Sequence, residues 1–501
     1  MNFLELLDGA EYLAAQGDPS ISGLDYDSRR VKPGWCFIAI HGESSDGNQY
    51  IDSALSAGAV AIVSDSLPPR PDIAWAQVPH GRRALARLSA NFYGRPAERL
   101  AITGITGTNG KTTTSFLLNA MLRRGGRKCA LVGTVEYRIE EQSFPAPHTT
   151  PEALELNQFF ARAVEAGCTE AVMEVSSHAL QQQRVYGIPF DVAIFTNLTR
   201  DHLDYHGTME EYFASKAILF QGSGTEPPRV AVINREDEYG QRLMKLCSKQ
   251  TTLITYGIDS GDFHARNLDI QTGGTRFELV TPEGEYPIWS PLLGRVNVFN
   301  LIAAAAAASA RGVELRAIAE AAYDLSRVAG RFERVDVGQP FTVVVDYAHT
   351  DDALRNLTAQ ARDFLRRRGG EGRVITVFGC GGDRDRSKRP LMGEAAGAGS
   401  DYVILTSDNP RSENPINIMN DALPGLQRSG VKYDLEPDRR KAIALAIEHA
   451  RPGDIVLIAG KGHEKVQVTS AGTVPFDDME VARAALHSAG YSTPQVQTAK
   501  P

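Results

Sequence analysis

The sequence has no run approaching the roughly 20 apolar residues that a membrane-spanning helix needs. Its longest apolar stretch, LIAAAAAA at 301–308, is short and alanine-rich, which predicts a helix whose small side chains let a neighbour pack closely. The opening MNFLELLDGAEYL is acidic and amphipathic, without the basic segment and apolar core of a secretory signal. Cysteine is scarce: Cys36, Cys129, Cys168, Cys247 and Cys380 are odd in number, widely spaced and form no CxxC pair. That argues against a disulfide framework or a cysteine zinc site and fits reduced thiols. Positive charge is also in deficit. A net charge of −8 argues against a general nucleic-acid or anionic-membrane surface. A cytoplasmic protein without membrane or nucleic-acid partners is expected.

What is present is strand–helix alternation. Composition is that of a globular protein, 42% apolar and 23% charged, and 501 residues predict roughly three domains. Residues 1–97 read as a small α/β unit: WCFIAI, a helix through YIDSALSAGA, then VAIVSD, with the turn signals of a boundary in YGRPAERL. Residues 98–330 open on the strand AITGI and continue through CALVG, EAVMEV, DVAIFTN and RVAVIN. A β-rich stretch near 262–290 and two helices near 297–325 complete this region. Residues 331–501 show four strands, FTVVVD, RVITVF, DYVILT and DIVLIAG, before a polar tail, STPQVQTAKP, that is expected to fray. The pattern predicts an α/β fold of three domains with mostly parallel, doubly covered sheets.

In an open parallel sheet, ligands bind beyond the carboxyl ends of the strands. The loops that follow the four strands of the third region are YAHTDD, GCGGDRDRSKRP, SDNPRSENP and GKGHEKVQ. Each carries charge, histidine or glycine, whereas an opposite-edge connection such as GVKYDLEPD reads as generic surface. Four such loops on one edge predict a shared site.

The middle region begins ITGITGTNGKTTT. Gly107 and Gly110 let the backbone turn its N–H groups toward phosphate oxygens. Lys111 is placed to reach terminal phosphates, and Thr112 offers a hydroxyl to magnesium at a helix N-terminus, with Thr113 following. The strict G-x-x-x-x-G-K-[ST] pattern fails because Ile105 stands where its first glycine belongs, but the strand-before, helix-after context favours ATP. Two later loops supply a carboxylate and imidazoles: EVSSHAL, with Glu174, Ser176 and His178, and TNLTRDHLDYHG, with Asp201, His202, Asp204 and His206. Such groups beside a phosphate loop suit magnesium held jointly by protein and nucleotide. No G-x-S-x-G elbow surrounds Ser176, which argues against a serine hydrolase.

These stretches, with ASKAILF, GRVNVFNLIAAAA, GRFE, VDYAHT, FGCGGDRDRSKRPLMG, DNPR and GKGHE, resemble the Mur ligases, the ATP-dependent amide-forming enzymes of peptidoglycan assembly. The resemblance runs from about residue 25 to residue 465 and is strongest to the branch that adds the third residue to UDP-MurNAc-L-Ala-D-Glu. It implies a UDP-binding domain, a central P-loop-type ATPase and a Rossmann-like C-terminal domain in a monomer. It implies phosphorylation of the D-Glu γ-carboxylate, followed by attack of an amine on the acyl phosphate. By residue, it implies that Gly107, Thr108, Asn109, Gly110, Lys111, Thr112, Thr113, Asn300, Arg331 and Asp346 bind ATP. Thr112, Glu174 and His202 would hold Mg2+, joined by Lys216 as an N-carbamylated side chain, although a lysine at such a helix position ordinarily snorkels. Ser28 and the loop His41–Asp46 match the uridine site, and Thr149, Thr150, Ser176, Gln182 and Arg184 match positions gripping the muramyl dipeptide.

The remaining loop, DNPR, carries a planar fork, Arg411, between two Asn-Pro turns. Meso-diaminopimelate differs from L-lysine by one distal carboxylate, which an arginine fork pairs bidentately. Asp408, Asn409, Pro410 and Arg411 are therefore expected to bind diaminopimelate, and the resemblance implies that Arg384, Gly460 and Glu464 on neighbouring loops complete the pocket. Leaving Arg411 desolvated and unpaired predicts at least ~10²-fold discrimination against lysine. The competing readings are an L-lysine-adding ligase, a folylpolyglutamate synthetase and a non-catalytic P-loop switch.

Overall fold

The computed structural model describes residues 1–42, 45–66, 71–271 and 273–492. Most of the frayed tail expected from the sequence, and two residues of the His41–Asp46 loop, lie outside the described residues. Three mostly parallel sheets follow one another along the chain. The first orders its strands 14–16, 74–77, 61–64, 35–38 and 23–25, all parallel except the edge strand Ala14–Gln16. The second sets Ala101–Thr106 between Phe190–Phe195 and Glu170–Glu174, so the strand that feeds the phosphate loop is central. The third runs 342–346, 455–459, 374–380, 402–407 and 432–435 in parallel, with Glu333–Val335 antiparallel at one edge.

Both faces of the second sheet are dry. Ile105, Leu131, Val172 and Ile194 face one apolar cluster, while Ile102, Val132, Met173 and Phe195 face the other. This is the alternation expected of strands buried on both sides. The alanine run lies in the helix Arg295–Ala310, where Ala303 to Ala308 are at most 2% exposed. Its small side chains let it lie against the helix Lys111–Arg124 within one cluster, as the sequence predicted.

Several elements differ from the sequence reading. GVKYDLEPD is not bare surface: Lys432–Leu435 pairs in parallel with Tyr402–Ser407 as the edge strand. Pairing on one side is enough to order a strand that is too polar to be recognised alone. Glu136–Ile139 and Gln142–Pro145 extend the second sheet as an antiparallel hairpin. Val466–Thr469 and Gly472–Pro475 form another hairpin after GKGHE. The short helix Pro96–Arg99 spans the expected boundary at 97, and Ala97 and Leu100 pack in the core around the second sheet. No helix among the described residues is long and apolar enough to cross a membrane.

Candidate active site

The loop from Gly107 to Gly110 joins the central strand to the helix Lys111–Arg124. Glycine is required twice. Gly107 has φ 147° and a Cβ there would fall 1.9 Å from Thr196 Oγ1; Gly110 has φ 90° and a Cβ would fall 2.4 Å from Asn300 Oδ1. The N–H groups of the loop, expected to face phosphate, are in part engaged within the protein. Thr108 N donates to Asn197 O and Asn109 N to Asn197 Oδ1, both at 2.9 Å. These bonds fix the loop, and the free donors are those of the helix's first turn, which have no intrahelical acceptor. Lys111 is the first residue of that helix, half-buried rather than on an exposed loop, with Nζ 2.9 Å from both Gly107 O and Thr108 O. Burial lowers its pKa, opposed by Glu174 and Asp201.

A cavity of about 270 Å³ lies over this helix end. Thr108 to Thr113, Thr149, Glu174, Ser176, His202, Asn300, Arg331 and Asp346 all line it. Glu174 ends its strand fully buried; Oε2 accepts from the Thr112 and Thr134 hydroxyls, each at 3.0 Å, and Oε1 from Thr134 N at 2.8 Å. Arg331 crosses from the third unit to Thr112 Oγ1 at 3.1 Å, stacked over the Tyr347 ring. Asp346 accepts from Phe332 N and Ala348 N, and burial raises its pKa. His202 sits at φ 54°, and burial holds its imidazole down to about 3 against the pull of Asp201.

Lys216, on the helix Met209–Gln221, does not snorkel: it is 2% exposed, with Nζ 2.9 Å from Gly107 O and 4.5 Å from the Tyr212 ring centroid. Burial, then Lys111, pushes its pKa well below the usual lysine range. No carboxylate lies within ion-pair distance of it among the described residues.

The dipeptide positions split. Thr149 and Ser176 line the cavity, with Thr149 Oγ1 3.0 Å from Thr134 Oγ1. Thr150, Gln182 and Arg184 form a cluster beside it, in which Thr150 Oγ1 donates to Glu174 O and Arg184 donates to Gln182 Oε1 and Thr150 O. Ser28 lies apart, in a cleft of about 430 Å³ with Gly42, Ser45, Arg82 and Glu152. Glu152 links the two places, accepting from Arg82 at 3.2 Å and ion-paired with Arg184 at 2.9 Å.

The four loops of the third sheet do converge. Arg384, Asp408, Asn409, Arg411, Gly460 and Glu464 line a cavity of about 200 Å³. Pro410 stands behind it: a Cβ on Gly382 would fall 1.9 Å from Pro410 O. Arg411 is half-buried at φ 52°, donates to Gly382 O at 2.6 Å and has no carboxylate within ion-pair distance among the described residues. Burial, then Arg384, lowers its pKa. Asn409, expected to grip substrate, is already engaged with Lys461, Val468 N and Glu464. The two cavities share a wall of Asp201, His202, Tyr347 and His349.

Three family models match in succession. One described as "Mur ligase family, catalytic domain" covers residues 20–93, "Mur ligase middle domain" covers 105–308, and "Mur ligase, glutamate ligase domain" covers 330–462. A Solibacter usitatus protein named UDP-N-acetylmuramoyl-L-alanyl-D-glutamate–2,6-diaminopimelate ligase is 53% identical over 478 residues, 95% of each chain. A protein of that name from Geobacillus thermodenitrificans is 47% identical, over 94% of this chain and 96% of its own. The chain belongs to the Mur ligase family. A solved structure of a ligase with that name superposes with TM-score 0.65 at 36% identity, covering 94% of this chain and 96% of its own. A Mycobacterium tuberculosis folylpolyglutamate synthase complexed with ADP has TM-score 0.61 at 20% identity, over 75% of this chain and 91% of its own, and shows the fold alone.

In this Mur ligase the sequence reading missed several residues of the site. Lys388 approaches Asp201 at 3.7 Å, and His349 lines both cavities with Nδ1 2.7 Å from Tyr347 O. Burial alone would raise the Asp201 carboxyl, but His202, Lys388 and His349 hold it below the usual range. Lys388 and His349 stood in quoted motifs, DRSKRP and YAHT, yet only pairing across units shows what they face. His206 is packed rather than catalytic: Nε2 lies 2.9 Å from Ser177 Oγ, and its ring stacks on Tyr212.

Proposed function

We propose that the chain joins meso-2,6-diaminopimelate to the D-Glu γ-carboxylate of UDP-MurNAc-L-Ala-D-Glu, using ATP, in cytoplasmic peptidoglycan precursor synthesis. The observation that carries this reading is the shared wall. A carboxylate is a poor electrophile. Phosphoryl transfer to it in the larger cavity creates a leaving group, and an amine held in the smaller cavity then attacks the acyl carbon across Asp201 and His202, releasing phosphate. The two reactants enter by different doors and meet at one point.

In this reading Lys111 and the first-turn N–H groups hold the ATP phosphates, and Asn300, Arg331 and Asp346 border the nucleotide. A magnesium ion, when bound, supplies charge neutralisation on the phosphates. The donors fit it: Glu174 and Thr112 offer hard oxygens, and His202 is kept neutral and so able to ligate. Among the described residues no three His, Cys, Asp or Glu side chains form a metal site unaided, so the nucleotide has to complete the shell. Lys216 is buried, with its pKa lowered and no carboxylate within ion-pair distance among the described residues, a state in which an amine adds carbon dioxide; as a carbamate it would be a further oxygen donor. In this reading Ser28 and its cleft take the uridine end, and Thr149, Thr150, Ser176, Gln182 and Arg184 take the dipeptide. Arg411, aided by Arg384, receives the carboxylate that lysine lacks.

Phosphate release measured with UDP-MurNAc-L-Ala-D-Glu, ATP and either diaminopimelate or L-lysine tests the assignment. Release is expected only with both acceptor and amine present, and chiefly with diaminopimelate. Equal efficiency with L-lysine would overturn it, as would release without acceptor.

A further inference from the structure

Lys461 stands behind the smaller cavity. It is 0% exposed and does not line the cavity, although Gly460 before it and Glu464 after it do. Its ammonium donates to Asn409 Oδ1 and to Glu464 Oε2, each at 2.9 Å, and lies 3.9 Å from Asp408 Oδ1. Asn409 Nδ2 donates to the same Glu464 oxygen at 2.9 Å. Two donors thus converge on Oε2, and no hydrogen bond to Oε1 is seen among the described residues. A buried ammonium is costly unless it is paired, so Lys461 and its partners fix one another. It joins the loop after Tyr402–Ser407 to the loop after Ile455–Ala459.

We propose that Lys461 is a positioning residue for the amine substrate: gripping Asn409 and Glu464 from behind, it aims the free Glu464 oxygen at an ammonium of the incoming diamino acid. This rests on the functional reading above. The same cavity carries Arg384 and Arg411, so a carboxylate aimed from one loop and guanidiniums from two others match a ligand bearing both charges. Without Lys461 the carboxylates of Asp408 and Glu464 lose the cation between them, and Glu464, held by Asn409 alone, regains rotamers that point elsewhere.

The test is steady-state phosphate release by the full chain, with each of the three substrates varied in turn. Lys461→Met is expected to raise KM for diaminopimelate about 10-fold or more, while KM for ATP and for the UDP-linked substrate stays within about 2-fold. Lys461→Met combined with Glu464→Gln should be no more than about 3-fold worse than Glu464→Gln alone, because one residue acts through the other. Lys461→Gln, which keeps a donor without the charge, carries the test where the methionine variant does not fold. Multiplying effects in the double variant, equal KM rises for all three substrates, or loss of the fold in both Lys461 variants would overturn the inference. A wild-type enzyme inert toward diaminopimelate would overturn the functional reading and this inference with it; an active one puts only this inference at stake.

Discussion

At the scale of single residues, burial decides how sharply the site discriminates. Fully buried, an unpaired Arg411 would cost about 3–5 kcal/mol on binding lysine, but it is half-buried and water reaches part of its fork. Arg411→Ala is therefore expected to lose a preference of about 10–100-fold for diaminopimelate over L-lysine, read as the ratio of kcat/KM for the two amines. A ratio unchanged from wild type would remove Arg411 from the specificity determinants. His206 gives a second test, of stability. Its burial, then His178 and Lys216, holds the imidazole at about 4, below its ordinary value. As pH falls through about 6.5 the unfolded chain takes up a proton that the folded chain refuses, so stability drops until about pH 4. Between about pH 7 and 5 the loss is roughly 2 kcal/mol, and His206→Gln should show a smaller fall in Tm over that interval. Identical slopes would refute this. Residues whose place at the cavity follows from one short motif, such as Glu174 or Lys111, were legible in the sequence. Lys461, Lys388 and Glu152 were not, because their meaning lies in partners 52, 187 and 70 residues away.

At the scale of elements, the phosphate loop makes the strictest demand. An alanine at 110 would need φ near 90° and a Cβ 2.4 Å from Asn300 Oδ1, a side-chain atom that Thr114 also approaches at 3.4 Å. Gly110→Ala should cost about 1–3 kcal/mol of stability. It should also raise KM for ATP about 10-fold or more, because relief requires Asn300 to leave the cavity wall. An unchanged KM for ATP would show that the wall adapts without loss. The parallel strands were legible because burial on both faces writes a continuous apolar run, as in VAVIN or IVLIA. The edge strand KYDL and the hairpin Val466–Pro475 carry no such run. What orders them is pairing, which no local window contains. That hairpin matters to the site, since Val468 O accepts from Arg411 N and Val468 N donates to Asn409.

At the scale of the whole molecule, chemistry depends on two units meeting over one helix end. The contacts that join them are largely polar, with Leu293 packed on the third unit's core. Asp352, on the helix Asp351–Arg367 of the third unit, accepts from Asn109 Nδ2 at 2.8 Å and Thr199 Oγ1 at 3.1 Å. Arg200 donates to Ser387, and Arg331 reaches Thr112. Interfaces of this kind resemble transient ones, so relative motion of the units is the default expectation. Asp352 grips the phosphate loop itself, which couples closure to the nucleotide site. Burial raises its carboxyl pKa, opposed by the Thr199 hydroxyl, Arg355 and the Asn109 amide. Asp352→Ala is expected to open the nucleotide-free protein, seen as a larger radius of gyration in solution scattering. KM for ATP should rise about 5–20-fold, the loss of one or two hydrogen bonds to a charged group, while kcat at saturation falls less because the closed state is still reached when nucleotide fills the cavity. A radius and KM both unchanged would mean that Arg331 and Arg200 hold the units together without Asp352.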